Sequence, residues 1–386
     1  MHVLVAPLDW GLGHATRCIP IIRYLLHRRH RVYIAANGRA LALLRREFPD
    51  LPYTEMAGYE ISYPDGSAPS RGATWLMFWA MLCQTPRILY RIYNEYKQAQ
   101  ALVRRWNIDC IVSDNRYGCR SPRVRSIIVC HQIFIQLPPP FAAFMPCLAW
   151  LHRQFLGRFD QCWIPDFADA AQSLSGNLSH YRPLPDEKYR FIGILSRFAP
   201  LSDYRDSLDQ HWGSSSAPDN IPMLNDGSNP PNINTAVDDF LACVRKTDKP
   251  LLLLLVSGVE PMRSTFERQL TTAVANYSGW ICLLRGIADS TQAPRYDSQY
   301  VWVADHLPAD QLAPLLKAAT HIVARAGYST IMDLVALHQT ALLIPTPGQT
   351  EQVYLSHYLA QQGRFATLAQ SEISGVGQWL SEKKQP

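Results

Sequence analysis

Two residues a hundred positions apart have the types needed to move a proton. His14 stands in Asp9-Trp10-Gly11-Leu12-Gly13-His14-Ala15-Thr16-Arg17, directly after the apolar run Val3–Ala6. Gly11 and Gly13 form a turn that feeds a helix, and a helix start offers backbone N–H groups and a positive dipole end to an anion. His14 lies at the mouth of that turn, at the carboxyl end of the first strand, where open α/β sheets bind ligands. It reads as a general base or as a helix-start histidine with no chemical duty. Asp114, which closes Cys110-Ile111-Val112-Ser113-Asp114, is the matching orienting group. A carboxylate on the far ring nitrogen sets the tautomer and favours proton uptake. Asp114 reads equally as a cap for the segment that follows. The loop is not a dinucleotide fingerprint: Thr16 occupies the third small position, and Ala35-Ala36-Asn37 stands where an acid is needed. No G-x-x-x-x-G-K-[ST] run occurs, which excludes a P-loop.

Three further turns carry polar groups in the second half. Leu251–Val256 runs into Ser257-Gly258-Val259-Glu260-Pro261, and the proline predicts a helix start. A second strand ends in Ala324-Arg325-Ala326-Gly327-Tyr328-Ser329-Thr330, followed by a helix carrying Asp333. A third ends in Pro345-Thr346-Pro347-Gly348-Gln349-Thr350-Glu351-Gln352, again before a helix. Ser329, Thr330 and helix N-terminal amides suit a diphosphate, Asp333 suits ribose hydroxyls, and Glu351 and Gln352 suit sugar hydroxyls. Taken singly, each is an ordinary capped turn; together on one sheet edge they outline a nucleotide-sugar site. With no Asp-x-Asp pair and no H-x-x-x-H spacing, no metal is expected, and helix dipoles with Arg325 would balance the leaving charge.

Short strand-type runs separated by helical stretches must position these groups. The first half contains Val3–Ala6, Val32–Ala35, Cys110–Ser113, Ile127–Cys130, Cys162–Pro165 and Arg190–Ile194. The second contains Leu251–Ser257, Trp280–Arg285, Tyr300–Ala304, His321–Ala324 and Ala341–Pro345. That alternation predicts two doubly wound parallel sheets. The division expected is an N-terminal domain over 1–200, a linker or flexible insertion over 201–247, and a C-terminal domain over 248–386. Residues Asp203–Asp248, with Gly213-Ser214-Ser215-Ser216 and Asn229-Pro230-Pro231-Asn232, read as mostly extended before a short helix. Trp75–Tyr96 reads as a buried helix or as an aromatic, basic surface for a membrane or lipid.

The 386 residues are 47% hydrophobic and 18% charged, enough to bury two cores and incompatible with a disordered, collagenous or coiled-coil chain. No apolar run is long enough to span a bilayer. The chain opens on a strand without a basic n-region, so no secretory signal is expected. The nine cysteines form no C-x-x-C pair, in keeping with reduced thiols in the cytoplasm. Residues 1–200 carry 24 Lys and Arg against 14 Asp and Glu, while residues 201–386 carry 13 against 18. The basic half suits an anionic partner such as a lipid phosphate, a headgroup or, through Arg116, Arg120, Arg123 and Arg125, nucleic acid. No nucleic-acid motif accompanies those arginines.

Ala324–Leu334 followed by Leu343–Gln352 closely resembles the donor-binding half of glycosyltransferase family 28, the group of the GlcNAc transferase that completes lipid II. Gly11-Leu12-Gly13-His14 is similar to its N-terminal glycine loop, and Val129-Cys130-His131-Gln132 to a His-Glu-Gln-type motif. The chain departs from the lipid-II enzyme in its single glycines before His14, in Val259, and in a sugar loop lacking histidine. The resemblance implies a GT-B fold, two Rossmann-like domains facing across a cleft with the acceptor on the N-terminal side. It implies Asp333 on the ribose, Glu351 and Gln352 on the donor sugar, and Ser257, Gly258, Gly327, Ser329 and Thr330 along the diphosphate, with Gln349 and Thr350 beside them. Related plant-type glucosyltransferases place a base histidine and an aspartate where His14 and Asp114 stand, with His131 next in line. The activity implied is inverting, metal-independent and cofactor-free transfer of a hexose from a UDP-sugar to a hydroxyl acceptor, lipid-linked or in the cell envelope. Such an enzyme would be cytoplasmic, with peripheral contact on the inner membrane face and no nucleic-acid partner. A nucleotide-sugar 2-epimerase on the same fold, needing no acceptor surface, and a non-catalytic nucleotide-sugar-binding protein, needing no His14–Asp114 pair, are the alternatives.

Overall fold

Leucine- and valine-rich runs of four to six residues cannot be sided, so they must be covered on both faces, which parallel strands with crossover helices achieve. The computed structural model describes residues 1–59, 71–135, 143–184, 186–212 and 235–383, with the backbone alone for 71–82 and 235. These fall into two compact units, the first ending at 212 and the second beginning at 235.

The strands of the first unit are β1 (His2–Pro7), β2 (Arg31–Ala36), β3 (Tyr53–Glu55), β4 (Cys110–Asp114), β5 (Arg125–Val129), β6 (Gln161–Ile164) and β7 (Tyr189–Phe191). They form one parallel sheet in the order β3-β2-β1-β4-β5-β6-β7. The described helices are α1 (Gly13–His27), α2 (Gly38–Glu47), α3 (Arg71–Trp106), α4 (Met145–Leu156), α5 (Asn177–His180) and α6 (Ser202–Trp212). Chain direction across the sheet reverses between β1 and β4, the switch point at which such sheets leave a crevice.

The second unit repeats the plan with β8 (Leu251–Leu255), β9 (Trp280–Leu284), β10 (Arg295–Ser298), β11 (Val301–Ala304), β12 (His321–Ala324), β13 (Leu342–Leu343) and β14 (Ala366–Thr367). Its helices are α7 (Thr235–Arg245), α8 (Met262–Ala273), α9 (Ala309–Ala318), α10 (Tyr328–Ala336), α11 (Thr350–Gln361) and α12 (Val376–Glu382). The order is β10-β11-β9-β8-β12-β13-β14, with the switch between β8 and β12. Only β10 runs antiparallel among the described strands. Leu252, Leu254, Phe266, Leu270, Val323 and Leu342 build the core on one face of this sheet.

Each strand expected from the sequence is present within a few residues, and β3, β10 and β14 are additional. These are two to four residues long at sheet edges, and all four residues of β10 are exposed, so no apolar run announces them. The stretch expected to be linker from 201 starts instead with α6, an element of the first unit. Asp209 accepts from Tyr24 Oη and Arg28 Nη2, each at 2.6 Å, and Trp212 packs edge-on against Tyr24 and Trp163. The remainder of that stretch, 213–234, lies outside the described residues. Where side chains of α3 are described the helix is two-faced: Leu89, Tyr90 and Tyr93 are exposed while Ile92 and Glu95 are buried, so both readings of Trp75–Tyr96 hold for part of it; the side chains of residues 75–82 lie outside that description. No described helix is long and apolar enough to cross a membrane.

Candidate active site

The strand register explains how His14 and Asp114 meet. Pro7 pairs with Asp114 across β1 and β4, and the Leu8 N–H donates to the Asp114 carbonyl at 3.0 Å, so the turn after β1 starts beside the end of β4. Gly11, with φ at +83°, turns the chain in a region glycine enters without strain. Helix α1 then begins at Gly13 and presents His14 back toward β4. Its Nδ1 lies 2.7 Å from Asp114 Oδ1; the carboxylate is fully buried and the imidazole 14% exposed. An ionised carboxylate only accepts, so Nδ1 carries the hydrogen, and in the neutral ring Nε2 keeps its lone pair. The two residues form the pair expected from the sequence.

A third member is not legible in the sequence. Arg17, one turn along α1 and 2% exposed, donates through Nε and Nη2 to both oxygens of Asp114. Its Nη1 lies 3.1 Å from Nδ1 of His131, itself 3% exposed at the end of β5. A guanidinium has no acceptor, so His131 Nδ1 must receive that bond. Burial would raise the Asp114 carboxyl, yet Arg17 and then His14 outweigh it and hold the group at about 2. Burial and the Arg17 charge push His14 below its ordinary value, against the pull of Asp114. Its i, i+3 spacing from His14 puts both on one helix face, but that spacing alone does not tell a buried clamp from a surface charge.

Arg116 is also inside. It is fully buried, donates through Nη2 to Asn37 Oδ1 and the Met56 carbonyl at 2.9 Å each, and lies 3.5 Å from Glu95. It therefore ties the ends of β2, β3 and β4 together rather than facing nucleic acid or headgroups. Of the other arginines in that group, Arg120 covers the Tyr96 ring and Arg125 donates to carbonyls at the end of α6. Glu95 accepts from Tyr59 Oη and the Gly118 N–H, and a Cβ at Gly118 would lie 2.1 Å from the Ile92 carbonyl, so only glycine lets this loop close on α3. Burial raises Glu95 to about 7 from an ordinary 4.5, against Arg116 and the two hydrogen bonds. Because the folded value is raised, its stabilising effect is full below pH 4.5 and disappears as pH rises through 7, a change on the order of 3 kcal/mol. Wild-type stability in urea should fall across that window relative to Glu95→Gln, whose own dependence should be flatter; parallel curves would refute this.

In the second unit, Ala324 of β12 pairs with Leu255 of β8, and Leu343 of β13 with Ala324. The turns bearing Ser257 and Gly258, Gly327 to Thr330, and Gln349 to Gln352 thus leave adjacent strands at one carboxyl edge. Gly258 has φ at +123° and open space where a Cβ would stand, and Gly327 is the residue before α10. Ser329 and Thr330 are half-buried in the first turn of α10, and Asp333 is 6% exposed one turn on. Gln352 braces its own loop, accepting from the Thr346 N–H at 2.9 Å and donating to Gln349 Oε1 at 2.5 Å; Glu351 and Thr350 share the first turn of α11. Arg325 departs from expectation. It is 1% exposed, lies 3.6 Å over the Phe266 ring and donates to the Ile344 and Pro345 carbonyls, so it clamps the β12 and β13 ends from below instead of facing a diphosphate. Burial lowers it to about 9. Among the described residues no cluster of three or more His, Cys, Asp and Glu could hold a metal ion.

Two Rossmann-like units, each with polar turns at the switch point of a parallel sheet, define the GT-B fold of glycosyltransferases. Residues 289–384 match the glycosyltransferase family 28 C-terminal domain. Over 108 residues the chain is 32% identical to the UDP-N-acetylglucosamine–N-acetylmuramyl-(pentapeptide) pyrophosphoryl-undecaprenol N-acetylglucosamine transferase of Desulforudis audaxviator, covering 28% of this chain and 27% of that one. The corresponding transferase 1 of Bacillus thuringiensis is 26% identical over 34% of this chain and 37% of its own. The matches thus span well under half the length of these relatives. Among solved structures, Arabidopsis thaliana UGT89C1 complexed with quercetin aligns over all of this chain and 90% of its own, at a TM-score of 0.59 and 13% identity. The spinosyn rhamnosyltransferase SpnG complexed with thymidine diphosphate aligns over 99% and 91%, at 0.57 and 14%. At these identities the likeness is one of fold.

Proposed function

We propose that this chain is an inverting glycosyltransferase that moves a hexose from a nucleotide diphosphate sugar, a UDP-sugar in the first instance, to a hydroxyl acceptor, without a metal or other cofactor. The observation that carries this reading is the 2.7 Å contact of His14 Nδ1 with buried Asp114 at a switch point, which leaves Nε2 as a proton acceptor. In the step proposed, Nε2 takes the acceptor proton while the oxygen attacks the anomeric carbon on the face opposite the nucleotide. The bond to the diphosphate breaks, and its negative charge is met by the first-turn amides of α10 with Ser329 and Thr330. Asp333 holds the ribose, Glu351 with Gln349, Thr350 and Gln352 the sugar, and Ser257 and Gly258 line the phosphates.

The acceptor proposed is lipid-linked or part of the cell envelope, reached from the cytoplasmic side. Support comes from the basic first half, from exposed Leu89, Tyr90 and Tyr93 on α3, and from Phe144, Trp150 and Leu151 at α4. The names of the curated relatives point the same way. Calorimetry with UDP, dTDP, GDP, CMP and ADP in EDTA, on wild type and Asp333→Ala, tests the donor site. One nucleotide should bind, and the variant should bind it at least about tenfold more weakly, as expected for a lost charged hydrogen bond. Binding of none would end this reading.

A further inference from the structure

We propose that Arg17 is a positioning residue that gives the two histidines of the first unit opposite roles, holding His14 as a proton acceptor at Nε2 and His131 as a donor at Nε2–H. One guanidinium makes all the contacts this needs. Its Nε and Nη2 take both oxygens of Asp114 in a fork, and its Nη1 reaches His131 Nδ1 at 3.1 Å. Because Arg17 can only donate, His131 must keep the Nδ1 lone pair and carry its hydrogen on Nε2. At His14 the same logic runs the other way. Arg17 Nη2 lies 2.9 Å and Asp114 Oδ1 2.7 Å from Nδ1, and these neighbours make opposite demands on that atom. A ring lone pair aimed at a carboxylate oxygen at 2.7 Å would be repelled, so Nδ1–H faces Asp114 and the guanidinium lies alongside the ring without donating to it.

The charge count follows from the groups around the ring. Acting on His14 are Arg17 from α1, Asp114 from β4 and His131 from the end of β5, while Cys18 contacts Asp114 and, with Cys130, acts on Arg17. Arg17 and Asp114 cancel, and burial keeps the Cys18 thiol protonated. A bare His–Asp pair would favour imidazolium; here a proton on His14 would leave the buried cluster with a net positive charge, so the resting ring stays neutral. The same guanidinium prevents Asp114 from accepting the proton in place of His14. His131, which the sequence offers as the reserve base, is thereby fixed as a hydrogen-bond donor.

Two-bond ¹⁵N–¹H spectra of histidine-labelled protein, with pH titration, test this in wild type, Arg17→Met and Arg17→Lys. Wild type should show His14 as the Nδ1–H tautomer with a midpoint below 6.5, and His131 as the Nε2–H tautomer. Arg17→Met should raise the His14 midpoint by about one to three pH units, the range for a charge at this distance. Arg17→Lys, which keeps the charge without the fork, should retain most of the low midpoint. A wild-type midpoint at or above 6.5, His131 in the Nδ1–H form, or an unmoved midpoint in Arg17→Met would overturn the assignment; if neither variant folds, the wild-type spectra decide it. The kinetic readout rests on the glycosyl-transfer reading. There the acid limb of kcat/KM should move upward in Arg17→Met with KM nearly constant. Spectra as expected in a protein that transfers no sugar would sink the transfer reading and leave the assignment of Arg17 standing.

Discussion

Replacing His14 by alanine should slow sugar transfer by about 10²–10⁴-fold while nucleotide binding to the second unit stays within about twofold of wild type, the size of effect expected for a general base. The argument is geometric. The ring sits at the exit of β1 with one nitrogen committed to Asp114, so its other nitrogen alone can accept the acceptor proton. Removing it leaves the turn, the helix start and the donor loops in place, because the imidazole makes no backbone hydrogen bond among those described. The loss should therefore fall on kcat and not on nucleotide affinity. The wild-type rate should decline as pH falls through the His14 value, which lies below the ordinary 6.5. Near-wild-type transfer by His14→Ala would remove this residue from the mechanism, and the structure leaves His131 a poor substitute because Arg17 occupies its Nδ1.

The second large effect is on stability. Asp114→Ala should destabilise the first unit by about 3–5 kcal/mol, because it strands a buried guanidinium without its countercharge. Arg17 is 2% exposed and gives two of its bonds to this carboxylate, so it cannot turn to water without opening α1. Urea unfolding followed by tryptophan fluorescence would measure the loss, and the double variant Arg17→Met/Asp114→Ala should recover a substantial part of it. A loss below about 1 kcal/mol, the worth of an exposed pair, would show that the cluster is not held as described. The pH dependence carries a definite sign. The folded value of Asp114 is depressed to about 2 from an ordinary 3.8, so its stabilisation is present above pH 3.8 and lost as pH falls through 2.

These effects are large because a small set of contacts at one sheet edge serves both folding and chemistry. Asp114 orients His14, neutralises Arg17 and, through its backbone, accepts from Leu8. Glu95 and Arg116 brace the loop that follows it. A substitution anywhere in this group perturbs several partners, so single-variant losses there should not add.

Much of the architecture was legible residue by residue. Leu251–Leu255 has no polar face, which only a doubly covered strand tolerates, and Gly-Leu-Gly-His after an apolar run marks a strand-to-helix turn. Pairing of His14 with Asp114 could be read because Asp114 closes one short apolar run and His14 follows the turn that leaves another, and parallel strands bring their carboxyl ends to one edge. What could not be read were features decided by burial. Arg17, Arg116 and Arg325 have the same side chain as the solvent-facing arginines around them, and nothing in their local sequence distinguishes a clamp from a surface charge. Their roles appear only when three or four chain segments converge on one guanidinium. Edge strands β10 and β14 escaped for the complementary reason: their pairing comes from a neighbour's backbone and not from their own side chains. The sequence by itself determined the two parallel sheets and the positions of their polar turns, and offered His14 and Asp114 as a candidate pair, since all of these follow from local periodicity and strand ends. Only the tertiary structure decided which groups contact each histidine nitrogen and which charges lie inside, because burial and the nearest buried charge depend on residues far apart in the chain.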